Sequence, residues 1–345
     1  MKYRKLGKQA IEVGVIGLGA EYLEKASRET ITSVLDVAME AGVNYTDLFM
    51  ASPDVRDHFG AALAGRRERM MIAGHLGATM KDGQYFRSRD SDHSERYVDD
   101  LLTRLRSDYI DVLMLHFVDD DGDFDRVFDD GGLLALAKRL QKAGKARILG
   151  ISSHVAPVSL RAVRSGEIDV LMFPVNPALD TLPGNLKIEA QWEDDIFGEV
   201  ATDKAGLASD RQELYHACAA AGVAVVAMKP YYAGRLFVAG NASGMVLTPV
   251  QCLAYTLDRP GVATAVPGCR TADEMRAALA YLDAGEEERD YSSIHENPVW
   301  KLRGSCTYCN HCLPCPEGID IGGVTRLADI AGYQADETVI TDYEA

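Results

Sequence analysis

Basic side chains are scarce in this chain. Its 36 Lys and Arg stand against 52 Asp and Glu, a formal charge of −16. That balance offers no footprint for a nucleic-acid backbone or an anionic membrane surface. Long apolar runs are missing as well: none approaches the roughly 20 residues that cross a bilayer. The opening residues, MKYRKLGKQAIEVG, lack the apolar stretch of a signal peptide. The expectation is a cytoplasmic protein with neither membrane nor nucleic acid as partner. Cysteine is thin over most of the length, with Cys218, Cys252 and Cys269 scattered. A third glycine is missing where a dinucleotide fingerprint needs one: after Gly17-Leu18-Gly19 the position holds Tyr22. No acidic residue follows at the right distance within a βαβ unit, so a Rossmann motif is excluded.

What the chain does contain is a repeated pattern. Ile110 to Leu115, inside DYIDVLMLHFV, is apolar except for Asp111, too short for a helix, and stops at His116. Such a run reads as a strand buried on both faces. Other short runs end likewise on a polar or ionisable residue: Val43 to Asp47, Met70 to Ala73 with His75 just beyond, and Arg147 to Ile151 before Ser152-Ser153-His154. Ile168 to Phe173 precedes Asn176, Val223 to Ala227 precedes Lys229, and Val262 to Val266 precedes Gly268 and Arg270. Val13 to Gly19 supplies the first run, with Glu21 and Tyr22 beyond it, and Lys2 to Val15 has the marks of a preceding hairpin. Between the runs lie segments of helical spacing, such as Arg28 to Ala41, and Pro53 to Leu63 with Ser52 as N-cap. The Gly77 to Asp92 stretch, with Tyr85, Arg87 and Arg89, reads as a polar loop, and Asp119 to Asp125 as a solvated acidic loop. Alternating strand, functional residue and helix predicts an α/β fold, a (β/α)8 barrel with its site at the C-terminal rim. Its 345 residues exceed the roughly 250 of a bare barrel. A barrel over 1–284 and a separate C-terminal segment over 285–345 account for the length, with Leu179 to Ala208 as a long functional loop or lid.

That segment carries Cys306, Cys309, Cys312 and Cys315 in CTYCNHCLPCPEG. Without a secretion signal, a metal is the better reading than disulfides. Thiolates spaced by two residues can wrap one soft metal centre. A single [4Fe–4S] cluster fits, with structural zinc as the alternative. The cluster is either an electron relay or a staple for the tail.

GVNYTD ending at Asp47, DVLMLH ending at His116, GKARILGISSH at Gly144 to His154 and AVPGCRTADEM at Ala265 to Met275 resemble the aldo-keto reductase family. AMKP followed by GRL, and the cysteine run with its CPEGIDI ending, are similar to its iron–sulfur branch. The resemblance implies a TIM barrel, an oxidoreductase, and catalytic roles for Asp47 and His116. It also implies that Ser152 and Ser153 hold a nicotinamide amide, with Gly268 and Arg270 in the cofactor-binding loop. There are departures. Ser52 stands where the family's tyrosine acid is expected, His75 where its lysine is. Ala277 and Ala278 replace a Glu-Asn pair that grips adenine, and Met172 replaces a glutamine. NADP(H) is the cofactor the resemblance implies, and these departures count against it.

Asp47, His75 and His116 come from successive strand ends and should converge. Asp47 would then fix the His75 tautomer and leave His75 or His116 as acid–base group, with Lys229 as a further catalytic candidate. Tyr22, Ser153, His154 and Asn176 are candidates for substrate contact. The alternative for the histidines is that they are hydrogen-bonded core residues. Three readings follow. One is a redox enzyme acting on a carbonyl or hydroxyl of a small polar molecule, its cluster relaying electrons to or from a partner protein. Another is a non-redox lyase, dehydratase or isomerase using Asp47, His75, His116 and Lys229 for proton transfers. The last is a binding or electron-transfer protein with an inactive barrel.

Overall fold

The computed structural model describes residues 1–8, 11–192, 196–197, 208–296 and 315–333. The N-terminal hairpin pairs β1 (Tyr3–Lys5) antiparallel with β2 (Glu12–Gly14). An eight-stranded parallel sheet follows. Its strands are β3 (Leu18–Gly19), β4 (Tyr45–Leu48), β5 (Met71–Leu76), β8 (Ile110–Leu115), β9 (Ala146–Ser152), β10 (Val170–Pro174), β11 (Ala224–Met228) and β12 (Val262–Val266), adjacent in that order. A second hairpin, β6 (Ala78–Lys81) with β7 (Gln84–Arg87), leaves the sheet after β5.

The sheet curls until its ends meet. Ile16 bridges Ala265 and Gly19 bridges Gly268. The Gly17 N–H donates to the Ala265 carbonyl at 2.8 Å and the Gly19 N–H to that of Pro267 at 2.9 Å. A Cβ on Gly19 would lie 2.9 Å from the Val266 carbonyl oxygen, closer than a side chain tolerates. The Gly17-Leu18-Gly19 sequence therefore serves the barrel seam, where two backbones must approach.

Helices cover the outside. They are α1 (Arg28–Glu40), α2 (Pro53–Ala62), α3 (Ser91–Leu105), α4 (Asp121–Phe128), α5 (Leu133–Lys142), α6 (Ala156–Ser165), α7 (Ser209–Ala221), α8 (Pro249–Leu257) and α9 (Ala272–Leu279). A one-turn helix α10 (Glu286–Arg289) and α11 (Ile321–Tyr333) come last, and α11 lies against α7. Where an acidic loop was expected, Asp120 caps α4 by accepting the Asp123 N–H, and the acidic side chains sit at the helix's favourable N-terminal end. The C-terminal segment expected from residue 285 opens on α10. Among the described residues no helix is long and apolar enough to cross a membrane.

Period-two alternation sorts each strand into two cores. Ile72 and Leu76, and Leu113 and Leu115, face the helices. Tyr45, Ala73, Val112, Met114, Ile148, Val170 and Val226 fill the barrel, closed below by Leu6 and Val13 of the first hairpin. Asp111, the lone charge in its strand, is buried and satisfied: it accepts from the Ile72 N–H and from Arg67 and Arg147. It belongs to the architecture.

Candidate active site

The same alternation delivers the site. Continuing the inward rows upward, Tyr45 leads to Asp47, Ala73 to His75, Met114 to His116 and Ile148, past Gly150, to Ser152. His75 lies within β5, so the strand runs past the expected end at Ala73. The Nε2 of His75 is 2.8 Å from Asp47 Oδ1, and its Nδ1 is 2.7 Å from His116 Nδ1. All three are buried, at 7%, 6% and 5% exposure. The far nitrogen of His116, Nε2, is 2.6 Å from the Tyr85 hydroxyl. Asp47, His75, His116 and Tyr85 thus form one chain of hydrogen bonds.

Tyr85 belongs to the second hairpin, where a polar loop was expected. Its turn has Asp82 at φ 53° and Gly83 at φ 76°, the left-handed pair of a two-residue hairpin turn. The signal was present as Asp-Gly between Lys81 and Gln84. Tyr85 is 48% exposed, and burial of the rest raises its pKa against the pull of Arg87 and Arg89. His116 is held well below the ordinary imidazole range, first by burial and then by the charges of His75 and Arg89. It is a neutral ring near neutral pH. Phe49 stacks on it at 5.7 Å and 12°.

A second chain flanks the first. His154 Nδ1 lies 2.9 Å from Asp119 Oδ2, and its Nε2 lies 3.2 Å from Lys229 Nζ. Asp119 also accepts from the His154 N–H at 2.7 Å and from Ser153 Oγ at 3.1 Å. Burial works to raise the Asp119 carboxyl, but hydrogen bonds and charge from His154 outweigh it and hold the pKa low. The His154 pKa is lowered by burial and then by Lys229; that of Lys229 is lowered by burial, against Glu21, Asp119 and Asp47. Lys229 sits at φ 55°, a strained conformation for a side-chain-bearing residue, and the Asn176 amide donates to its carbonyl at 2.9 Å. Phe117, beside His116, has φ 52°.

Both chains open on a cavity of about 920 Å³. Asp47, His75, Tyr85, His116, His154 and Lys229 line it, and so do Ser152, Met172, Tyr22, Gly268 and Arg270. Ser152 Oγ accepts the Phe117 N–H at 2.9 Å, which leaves its own hydrogen for a ligand. The Arg270 guanidinium stacks 4.5 Å over the Tyr22 ring, and a Cβ on Gly268 would lie 2.6 Å from that ring. Ser153 and Asn176 are fully buried outside the cavity wall, bound to Asp119 and to the Lys229 carbonyl. Ser52 also lies outside the wall, at the N-cap of α2, its Oγ buried without a partner. Tyr85 and Asp119 join the site without having been expected there from the sequence. Asp119 was hidden because it opens an acidic run that reads as solvated.

Among the described residues no group of three His, Cys, Asp or Glu is arranged to hold a metal ion. Cys306, Cys309 and Cys312 lie outside the described residues. Cys315 is described; backbone N–H groups of Ile319, Glu317 and Gly318 turn towards its sulfur and lower the thiol pKa.

The aldo/keto reductase family model matches residues 10–178, the stretch that carries Asp47, His75, His116 and His154. Over that stretch, about half of its length, the chain is similar to the aldo/keto reductase family. The chain is 28% identical over 181 residues to the uncharacterized oxidoreductase YqkF of Bacillus subtilis, covering 50% of this chain and 56% of that protein. It is 26% identical over 209 residues to L-galactose dehydrogenase of Arabidopsis thaliana, covering 53% and 61%. The chain thus spans less than two thirds of these curated relatives' lengths. The aldo-keto reductase AKR11C1 from Bacillus halodurans superposes with a TM-score of 0.63 at 22% identity, over 87% of this chain and 97% of that one. At that identity the likeness is one of fold. The relatives carry the names of oxidoreductases, which leaves the non-redox lyase reading without support.

Proposed function

We propose that this protein is an aldo/keto reductase that interconverts a carbonyl and a hydroxyl on a small polar molecule, with a nicotinamide dinucleotide in the barrel mouth and a [4Fe–4S] cluster in the C-terminal segment, 285–345. The observation that carries the reading is the Asp47–His75–His116 chain of hydrogen bonds lining a cavity large enough for a substrate and a nicotinamide ring. Oxidoreduction of this kind needs a proton delivered to or taken from the substrate oxygen, and such a chain can move one.

The residues fit the nicotinamide. Ser152 has a hydroxyl hydrogen to offer a carboxamide oxygen, and Tyr22, Gly268 and Arg270 would flank the remainder. When bound, a nicotinamide supplies or accepts the hydride. Lys229, held as a donor to His154, is suited to orient a polar substituent of the substrate. Cys306, Cys309, Cys312 and Cys315 would hold the cluster, whose chemistry is the transfer of single electrons to a partner protein. The N–H groups around Cys315 suit a thiolate ligand. A location in the cytoplasm is consistent with a reduced cysteine run.

Anaerobic purification followed by titration with NADH and NADPH tests the proposal. Expected are quenching of protein fluorescence by at least one of the two, turnover of a panel of small aldehydes, ketones and alcohols, and about four iron atoms per chain. Binding of neither nucleotide would overturn the redox reading. Iron absent under anaerobic conditions would remove the cluster.

A further inference from the structure

Resting on that reading, one residue remains without a role: Tyr85, which the barrel reaches only through its second hairpin. Its hydroxyl is the terminal member of the hydrogen-bonded chain, with its ring edge-on to His116 at 5.9 Å and 80°. It lines the cavity, whereas Ser52 does not. The hairpin that presents it is tied down. Tyr97 donates to the Met80 carbonyl at 3.1 Å, Thr79 to that of Phe86 at 2.7 Å and Arg87 to that of Phe117 at 3.1 Å.

The acceptor at one end fixes the direction of the whole chain. Asp47 as carboxylate can only accept, so His75 carries a proton on Nε2. With neutral rings, His75 Nδ1 then accepts from His116 Nδ1, and His116 Nε2 accepts the Tyr85 O–H. The Tyr85 oxygen is left with its lone pairs for a hydroxyl in the cavity. With one more proton, on His75 as imidazolium, every bond beyond it reverses. His75 Nδ1–H donates to His116 Nδ1, His116 Nε2–H donates to the Tyr85 oxygen, and the phenol hydrogen points to the cavity.

We propose that Tyr85 exchanges the proton with the substrate oxygen, and that His116, His75 and Asp47 form the relay that loads and unloads it. In reduction the carbonyl carbon receives a hydride from a dihydronicotinamide, and the C=O π pair moves to oxygen. That oxygen takes the Tyr85 proton as the phenolic O–H bond breaks. The phenolic oxygen takes the His116 Nε2 proton, and His116 Nδ1 takes that of His75. The substrate gains one hydride and one proton; the relay ends one proton poorer, with His75 neutral against Asp47, and regains it from water. Oxidation of an alcohol runs through the same bonds in reverse.

The test uses the full chain carrying Tyr85→Phe, with Phe86→Leu on the same hairpin as control and 4-nitrobenzaldehyde with NADPH as probe. Expected for Tyr85→Phe is a loss in kcat of roughly 10²- to 10⁴-fold, with NADPH quenching unchanged. Phe86→Leu keeps its turnover. Independently of turnover, ¹⁵N spectra of histidine-labelled protein should report the Tyr85 hydrogen bond at His116 Nε2. The signal should move in Tyr85→Phe, with His75, Arg87, Arg89 and His154 as the other groups whose charges act on His116. Turnover of Tyr85→Phe within threefold of wild type would overturn the proposal, and so would an equal loss in Phe86→Leu. Should wild type reduce no carbonyl, the redox reading fails by itself. The nitrogen spectra then decide the relay: an unchanged His116 signal in Tyr85→Phe overturns it and a shifted one supports it.

Discussion

His75 and His116 meet nitrogen to nitrogen, Nδ1 to Nδ1 at 2.7 Å. One ring must therefore present a bare lone pair to the other's N–H, and the two cannot both be fully protonated without losing that bond. The pair is a one-proton device. Replacing His75 by Phe should strand His116 with no acceptor for its Nδ1–H and cut Asp47 off from the chain. Expected is a loss of turnover of roughly 10²-fold or more with the barrel still folded by circular dichroism. His75→Phe with wild-type kcat would remove Asp47 from the mechanism.

Acid should destabilise the protein in a defined window. His116 and His154 are both lowered in the folded chain, chiefly by burial, while the unfolded chain has ordinary imidazoles. The unfolded chain then takes up protons first as pH falls below about 6.5, which favours it. The contribution is whole above that pH and is lost as pH falls towards the folded values. Asp119, also lowered, adds a loss of the same sign in a more acidic window, below about 4. Melting temperature should hold steady from about pH 7 to 8 and drop below about 6.5. The drop should be shallower in His116→Gln. An equally steep fall in that variant would assign the effect elsewhere.

The effect of Lys229 on its neighbour can be read directly. After burial, its charge is the next cause of the low His154 pKa, opposed by Asp119. In Lys229→Met the opposing carboxylate stays and the cation goes, so the His154 titration should move up towards the ordinary range. Histidine NMR against pH checks this. A fall, or no movement, would show that Lys229 and His154 are not in contact in solution.

Much of this was legible before the fold was known. The inward rows of the strands are a period-two pattern, and extending them by one period of two residues gives Asp47, His75 and His116. Their meeting point follows from barrel closure, which repeated strand and helix segments announce. Tyr85 and Asp119 were not legible for a different reason. Each is a polar residue in a polar stretch, and its role depends on where a short turn or a helix cap aims it. Asp82-Gly83 did encode the hairpin, but not that the hairpin folds over the barrel mouth. Gly17-Leu18-Gly19 shows the converse: a glycine pattern whose purpose, the seam, appears only once both ends of the sheet are in contact.

Cofactor preference should depend on Glu274. Its Oε2 accepts the Arg270 N–H at 2.5 Å, and its Oε1 lies 3.8 Å from the Arg270 guanidinium. A 2′-phosphate drawn to Arg270 must compete with this carboxylate and be repelled by it. Because both side chains are largely exposed, the effect is modest. Wild type should bind NADH at least as tightly as NADPH, and Glu274→Ala should shift the ratio of Kd values towards NADPH by about three- to tenfold. Fluorescence titration of both nucleotides measures the ratio; an unchanged ratio in the variant would dissociate Arg270 from phosphate recognition.

Asp180 offers a test of stability separate from catalysis. It is fully buried and accepts the Tyr215 hydroxyl at 2.6 Å, the Tyr255 hydroxyl at 2.8 Å and Arg211 Nη1 at 3.3 Å. One carboxylate so ties the short helical turn Leu179–Thr181 to α7 and α8. Burial raises its pKa, and Arg211 and the two tyrosines pull it back. Replacing it with Leu would leave the Arg211 charge buried opposite an apolar group, along with two hydroxyls short of an acceptor. Removing one partner of such a buried pair costs about 3–5 kcal/mol. Asp180→Asn keeps an acceptor for the tyrosines and should cost less than Asp180→Leu. Urea denaturation of the two variants gives the comparison. Asp180→Leu within about 1 kcal/mol of wild type would mean that water reaches Arg211 and that this corner of the barrel is not sealed.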